Sequence, residues 1–133
     1  MITVKELRSL FNSCDNDFKI RFQKWEHGNK EDFMKRNHYP MPNLVSIRVK
    51  KVITTANENH EWINHKFVLE DDFEDDFIIT KDEALEYFCD GLDDYEMIDF
   101  ELSTKDGNIP LRIFKGDTGY SDRIQMIDLE EVL

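Results

Sequence analysis

The sequence predicts an α+β chain: a tandem αβββ pseudo-repeat with helices packed on a mainly antiparallel sheet. Three observations predict it. Two capping boxes, Thr3-x-x-Glu6 and Thr80-x-x-Glu83, each open an amphipathic stretch. After each stretch the apolar period falls from about 3.6 residues to 2. A hydrophobic content of 40%, with ten Phe and two Trp, supplies a core despite 35% charged residues.

In the first unit Val4, Leu7, Leu10, Phe11 and Cys14 follow helical spacing. Phe18, Ile20 and Phe22 then alternate with Lys19, Arg21 and Gln23, which predicts a strand with one buried face. Two further strands are expected at 43–55 and 61–69, with Trp62 in the core. In the second unit Ala84, Tyr87 and Phe88 mark the helix, and Gly91 is placed to end it. Ile98, Phe100 and Leu102 alternate with Met97, Asp99 and Glu101. Strands are expected at 109–114 and 122–129. Asp106-Gly107 predicts a type I′ hairpin turn, and 115–123 reads as a polar loop.

Aligning Thr3 with Thr80 also aligns Glu6 with Glu83, Phe11 with Phe88 and Phe18 with Tyr95. One inserted residue later, Ile20 aligns with Ile98 and Phe22 with Phe100. The expected organisation is one domain, 1–133, made of a first unit (1–69) and a second (78–133). Its expected core is Leu7, Leu10, Phe11, Ile20, Phe22, Ile47, Val49, Leu85, Phe88, Ile98, Phe100, Ile113 and Ile127. The first unit carries an insertion, 26–42, with no counterpart in the second. It is too apolar for a plain linker and mildly basic, so Phe33, Lys35, Arg36 and Tyr39 are candidates for a secondary binding loop. A short helix capping the sheet is the competing reading.

Charge divides the chain. Residues 1–66 carry 12 Lys and Arg against 8 Asp and Glu, whereas 67–133 carry 5 against 21. A field of that sign disfavours direct contact of the second half with nucleic acid or anionic membrane and favours a basic partner. The densest run, "FVLEDDFEDDF" (67–77), lacks the Gly and ligand spacing of a calcium loop. No metal and no cofactor are expected. The candidate partner-binding acids are Glu70, Asp71, Asp72, Glu74, Asp75, Asp76, Asp93, Asp94, Asp99 and Glu101; a solvated connection is the plainer alternative for the run itself.

Catalytic signatures are missing from the sequence. The four His form no HExxH, and the five Gly form no GxGxxG and no P-loop. Paired carboxylates are too common to single out an acid–base couple, so a non-enzymatic role is expected. Cys14 and Cys89 are too far apart for a CxxC and read as buried reduced thiols. There is no signal-like n-region and h-region after Met1, and no apolar run of bilayer length, so a cytoplasmic location is expected.

The opening "MITVKELRSLFNSCDNDFKIRF", echoed in the second unit, resembles small acidic proteins of phages and mobile elements. That family includes anti-CRISPR and anti-restriction proteins that imitate DNA. The resemblance implies an inhibitor of a nucleic-acid-binding host-defence protein, acting in the bacterial cytoplasm. An immunity protein or antitoxin that neutralises a basic toxin, or an accessory phage structural protein, are the alternatives.

Overall fold

A computed structural model describes residues 1–25, 44, 45, 47–71 and 77–132. The elements are β1 (Ile2–Thr3), α1 (Val4–Asn12), β2 (Lys19–Trp25), β3 (Leu44–Val45), β4 (Ile47–Ala56), β5 (Ile63–Asp71), β6 (Ile78–Thr80), α2 (Lys81–Cys89), β7 (Met97–Thr104), β8 (Gly107–Gly119) and β9 (Ile124–Glu131). The insertion 26–42 and most of the acidic run lie outside the described residues.

Both helices begin as their sequences require. The Thr3 hydroxyl accepts from the Glu6 amide at 3.1 Å while Glu6 takes the Thr3 amide at 3.2 Å. Thr80 and Glu83 repeat the exchange, with both bonds at 3.1 Å. Two orphan amides are satisfied at each helix start. The hydrogen bonds from Thr3 and Thr80 hold the Glu6 and Glu83 carboxyls below the usual glutamate range. α2 stops at Gly91, whose φ of 74° is open to glycine at no steric cost.

The strands form one mixed sheet in the order β3-β2-β9-β8-β7-β5-β4, with β1 added to β7 and β6 to β2. β3 ends at Val45 and β4 begins at Ile47, so the two ends of that order are neighbours along the chain. The sheet therefore curls back on itself as a half-barrel. Local pairs are antiparallel, but the two joints between the halves, β2–β9 and β5–β7, are parallel. The sheet is thus mainly antiparallel, as expected, with two parallel joints.

Pairs on the two sides correspond. Phe22 lies opposite Ile127 as Phe100 lies opposite Phe67. Ile20 faces Ile79 as Ile98 faces Ile2, so each helix is entered from a strand on the other half's sheet edge. Arg48 faces Glu70 as Arg112 faces Glu130, and both pairs are closed ion pairs.

The core is one cluster spanning both halves. Leu7, Phe11, Ile20, Phe22, Ile47, Phe88, Ile98, Phe100 and Ile127 are buried as expected, whereas Leu10, Val49, Leu85 and Ile113 are partly buried at its rim. Phe88 is its hub, with ring centroids 5.0 Å from Phe67, 5.3 Å from Phe22 and 6.0 Å from Phe11. Contacts of this kind add to the area term for burying an aromatic ring.

Three local expectations are overturned. Trp62 is 45% exposed, because it sits in the β4–β5 connection beyond the helices. The 104–107 hairpin forms, but only Gly107 has positive φ, so Asp106 is not in a type I′ turn. Gly in the last position of a type I turn fits this arrangement. The "loop" at 115–123 is largely strand, since β8 continues to Gly119.

Candidate functional site

Among the described residues the predicted acids are dispersed rather than gathered. Asp93 and Asp94 lie exposed in the turn before β7. Glu70 and Asp71 lie at the far end of β5, which runs parallel to β7 in the register Asn64↔Met97 to Leu69↔Leu102. The strand length between them is about 20 Å. Asp99 and Glu101 occupy the face of β7 away from the helices, half-buried and already compensated. Asp99 lies 3.6 Å from the N-terminal ammonium and accepts from Asn64 at 3.3 Å. Glu101 pairs with Lys66 at 3.3 Å. Glu70 pairs with Arg48 at 3.0 Å. Asp72, Glu74, Asp75, Asp76, Phe33, Lys35, Arg36 and Tyr39 are outside the described residues.

Among the described residues there is an exposed acidic line of which the sequence reading singled out only Asp93 and Asp94. Along α2, Asp82, Glu86 and Asp90 are exposed at intervals of four residues, about 6 Å apart along the axis. Asp93 and Asp94 extend this line, and Tyr87 and Tyr95 stand beside it at 51% and 54% exposure. Period-four spacing in "KDEALEYFCD" was its available signal.

Acids at the start of a helix suit its dipole, but Asp90 and Asp94 crowd the negative end of α2. Arg8 of α1 offsets this. Its guanidinium donates to the Cys89 carbonyl at 3.0 Å, to the Leu92 carbonyl at 2.6 Å, and pairs with Asp94. Lys81 does the reverse for α1, donating to Asn12 O at 3.3 Å, Cys14 O at 3.4 Å and the Asn16 amide oxygen at 2.7 Å. Each helix thus supplies the cation for the other's C-terminus. Between them runs an open groove of about 490 Å³ lined by Arg8, Asn12, Leu85, Glu86, Cys89 and Asp90. Burial pushes the Cys89 thiol up to about 11, against the pull of Arg8. Burial also raises Cys14. Neither thiol is poised as a thiolate nucleophile.

The acidic turn is anchored from inside the fold. His65 Nε2 lies 3.0 Å from Glu96 Oε1, and its Nδ1 lies 3.0 Å from the Thr54 hydroxyl. The second Glu96 oxygen accepts from the Asp93 amide. His65 and Glu96 are buried. Thr54 is the direct cross-strand neighbour of His65, so this brace follows from strand register and was invisible at sequence separations of 11 and 31 residues. On the opposite joint, Gln23 donates to buried Asp128 at 2.5 Å. Asp128 stacks so close to Gly116 that a Cβ there would lie 2.6 Å from its carboxylate.

Among the described residues no group of three or more His, Cys, Asp and Glu converges as a metal ion would need. Nor is any described helix long and apolar enough to cross a membrane. No protein-family model, curated protein or solved structure matches the chain.

Proposed function

We propose that the protein is an acidic binding module that docks the outer face of α2 and its following turn onto a basic, nucleic-acid-binding protein. The observation that carries this reading is the exposed line Asp82, Glu86, Asp90, Asp93 and Asp94, with Asp94 held by Arg8 and the Asp93 amide by Glu96, itself braced by His65. Carboxylates on a helix need no reorganisation to meet a cationic channel, so their field acts at full strength on the encounter. Asp94, Asp99 and Glu101 add less than the others, since Arg8, the N-terminal amine and Lys66 already oppose them.

The most economical role for such a face is inhibition of a host-defence protein that grips nucleic acid, as in the anti-CRISPR and anti-restriction proteins that the opening sequence resembles. The bacterial cytoplasm is the setting this implies. We further infer that the two halves are copies of one βαβββ unit. Support for this comes from the paired capping boxes, the matched registers and the two Arg–Glu bridges at corresponding places.

The test is affinity capture from bacterial lysate at low and high salt, with duplex DNA as competitor. The expected result is a retained nucleic-acid-binding protein that DNA and salt both displace. Replacing Asp82, Glu86, Asp90 and Asp93 with their amides should abolish retention. Retention indifferent to salt, to DNA and to the amide replacements would exclude this face as the docking surface.

A further inference from the structure

β4 is the least acidic part of a chain whose net charge is −12. Residues 33–57 contain no Asp or Glu but five Lys and Arg, three of them on β4: Arg48, Lys50 and Lys51. Among the described residues β4 is bonded to a strand on one side only, to β5. Beyond the bulge between Val49 and Lys51 its residues 50–56 are all exposed, including Val52 at 48% and Ile53 at 40%. Among the described residues, the outer side of β4 thus offers backbone donors and acceptors, apolar side chains and positive charge together. An exposed edge of this length is a template for another strand.

We propose that β4 is a docking edge for an acidic, extended segment of another protein, which adds to the sheet as a strand beside it. Lys51, Ile53 and Thr55 share one face of β4, being opposite Val68, Lys66 and Asn64 of β5. An incoming strand that alternates carboxylates with β-branched residues lays its carboxylates along the Lys51 face and its β-branched residues along the opposite face, where Val52 is exposed. Main-chain bonds give such a complex its affinity and the alternate side chains its selectivity. A second copy of β4 is a poor occupant, because antiparallel self-pairing centred on Ile53 sets Lys50 and Lys51 opposite Ala56 and Thr55 and brings them no opposite charge. Nucleic acid would neutralise the lysines but leave the edge amides and carbonyls without partners.

The probe is a fluorescent peptide of about ten residues alternating Val and Glu, titrated into the full chain. We expect saturable binding, weakened about tenfold or more by Lys50→Glu with Lys51→Glu. Binding should be lost when every second peptide amide is N-methylated, and protection from hydrogen exchange should rise at β4. Because both lysines are exposed, the melting temperature should hold; Lys50→Gln with Lys51→Gln serves if the reversal unfolds the chain. The proposal is overturned if the peptide does not bind, or if the N-methylated or charge-reversed forms bind equally well. A single-stranded oligonucleotide that outcompetes the peptide overturns it in favour of nucleic acid. Self-association that the lysine variants abolish overturns it in favour of a second copy.

Discussion

At the positions that align, α1 carries Lys5, Ser9 and Ser13 where α2 carries Asp82, Glu86 and Asp90. All six are exposed. On the inner faces the same alignment sets Leu7 against Ala84 and Phe11 against Phe88, all buried in one cluster. The two helices share their capping boxes and their seat on the sheet. The inner positions stay apolar, whereas these three outer ones become acidic. Packing constrains the inner positions through contact with neighbours on both halves, whereas an exposed side chain changes sign at little cost to stability. Apart from Asp82, which suits the dipole at the start of α2, packing gives no reason for this concentration of one sign.

The largest effect that would sharpen this comparison is in the core. Phe11→Ala and Phe88→Ala should each cost about 3–5 kcal/mol in chemical denaturation, Phe88 the more because more rings surround it. Near-equal stability of wild type and Phe88→Ala would break the claim of a shared core. The cross-capping cations come next. Arg8→Met leaves the Cys89 and Leu92 carbonyls without their guanidinium and should cost about 1–3 kcal/mol. Lys81→Met, at exposed acceptors, should cost under about 1 kcal/mol. The N-caps should be alike: Thr3→Ala and Thr80→Ala, each about 1 kcal/mol by melting.

A pH series separates the helices again. Cys89 has its thiol raised from 9.0 to about 11, so the folded state holds that proton more tightly than the unfolded chain. Its contribution is complete below pH 9 and is lost as pH rises towards 11. Cys89→Ala should flatten that alkaline decline in thermal melts. The smallest stability effect belongs to the surface exchange itself. Writing the α1 residues onto α2 (Asp82→Lys, Glu86→Ser, Asp90→Ser) should move stability by only about 0.5 kcal/mol while abolishing salt-dependent partner binding. A large loss of stability would show that the acids serve the fold.

Local signals were legible and distant ones were not. The capping boxes, the two periods, the buried thiols and the hairpin at 104–107 could be read because each is written within a few residues. β1 and β6 were missed because Ile2-Thr3 and Ile78–Thr80 are too short for a period to show; they become strands only by pairing with β7 and β2. The parallel joints were missed for the same reason, since nothing in Phe22 announces Ile127. Trp62 was misplaced because apolar character alone cannot tell a core strand from a protruding connection. Of the candidate site, Asp93 and Asp94 were read from the sequence. The α2 line was passed over in favour of the denser run at 67–77, where acidic count outweighed helical spacing.

Ile2 pairs with Ile98, and β2 finds its parallel partner only in β9, close to the C-terminus. During synthesis the first half must therefore leave the ribosome with β1 unpaired and with β2 and β5 still lacking their parallel neighbours, and wait for nearly the whole chain. Contacts of such sequence separation slow folding, and strands left unpaired meanwhile are prone to aggregate. Lys19, Arg21, Lys24 and Lys66, set along β2 and β5, put charge on those waiting edges. On a nascent chain they act as gatekeepers before they act as anything else.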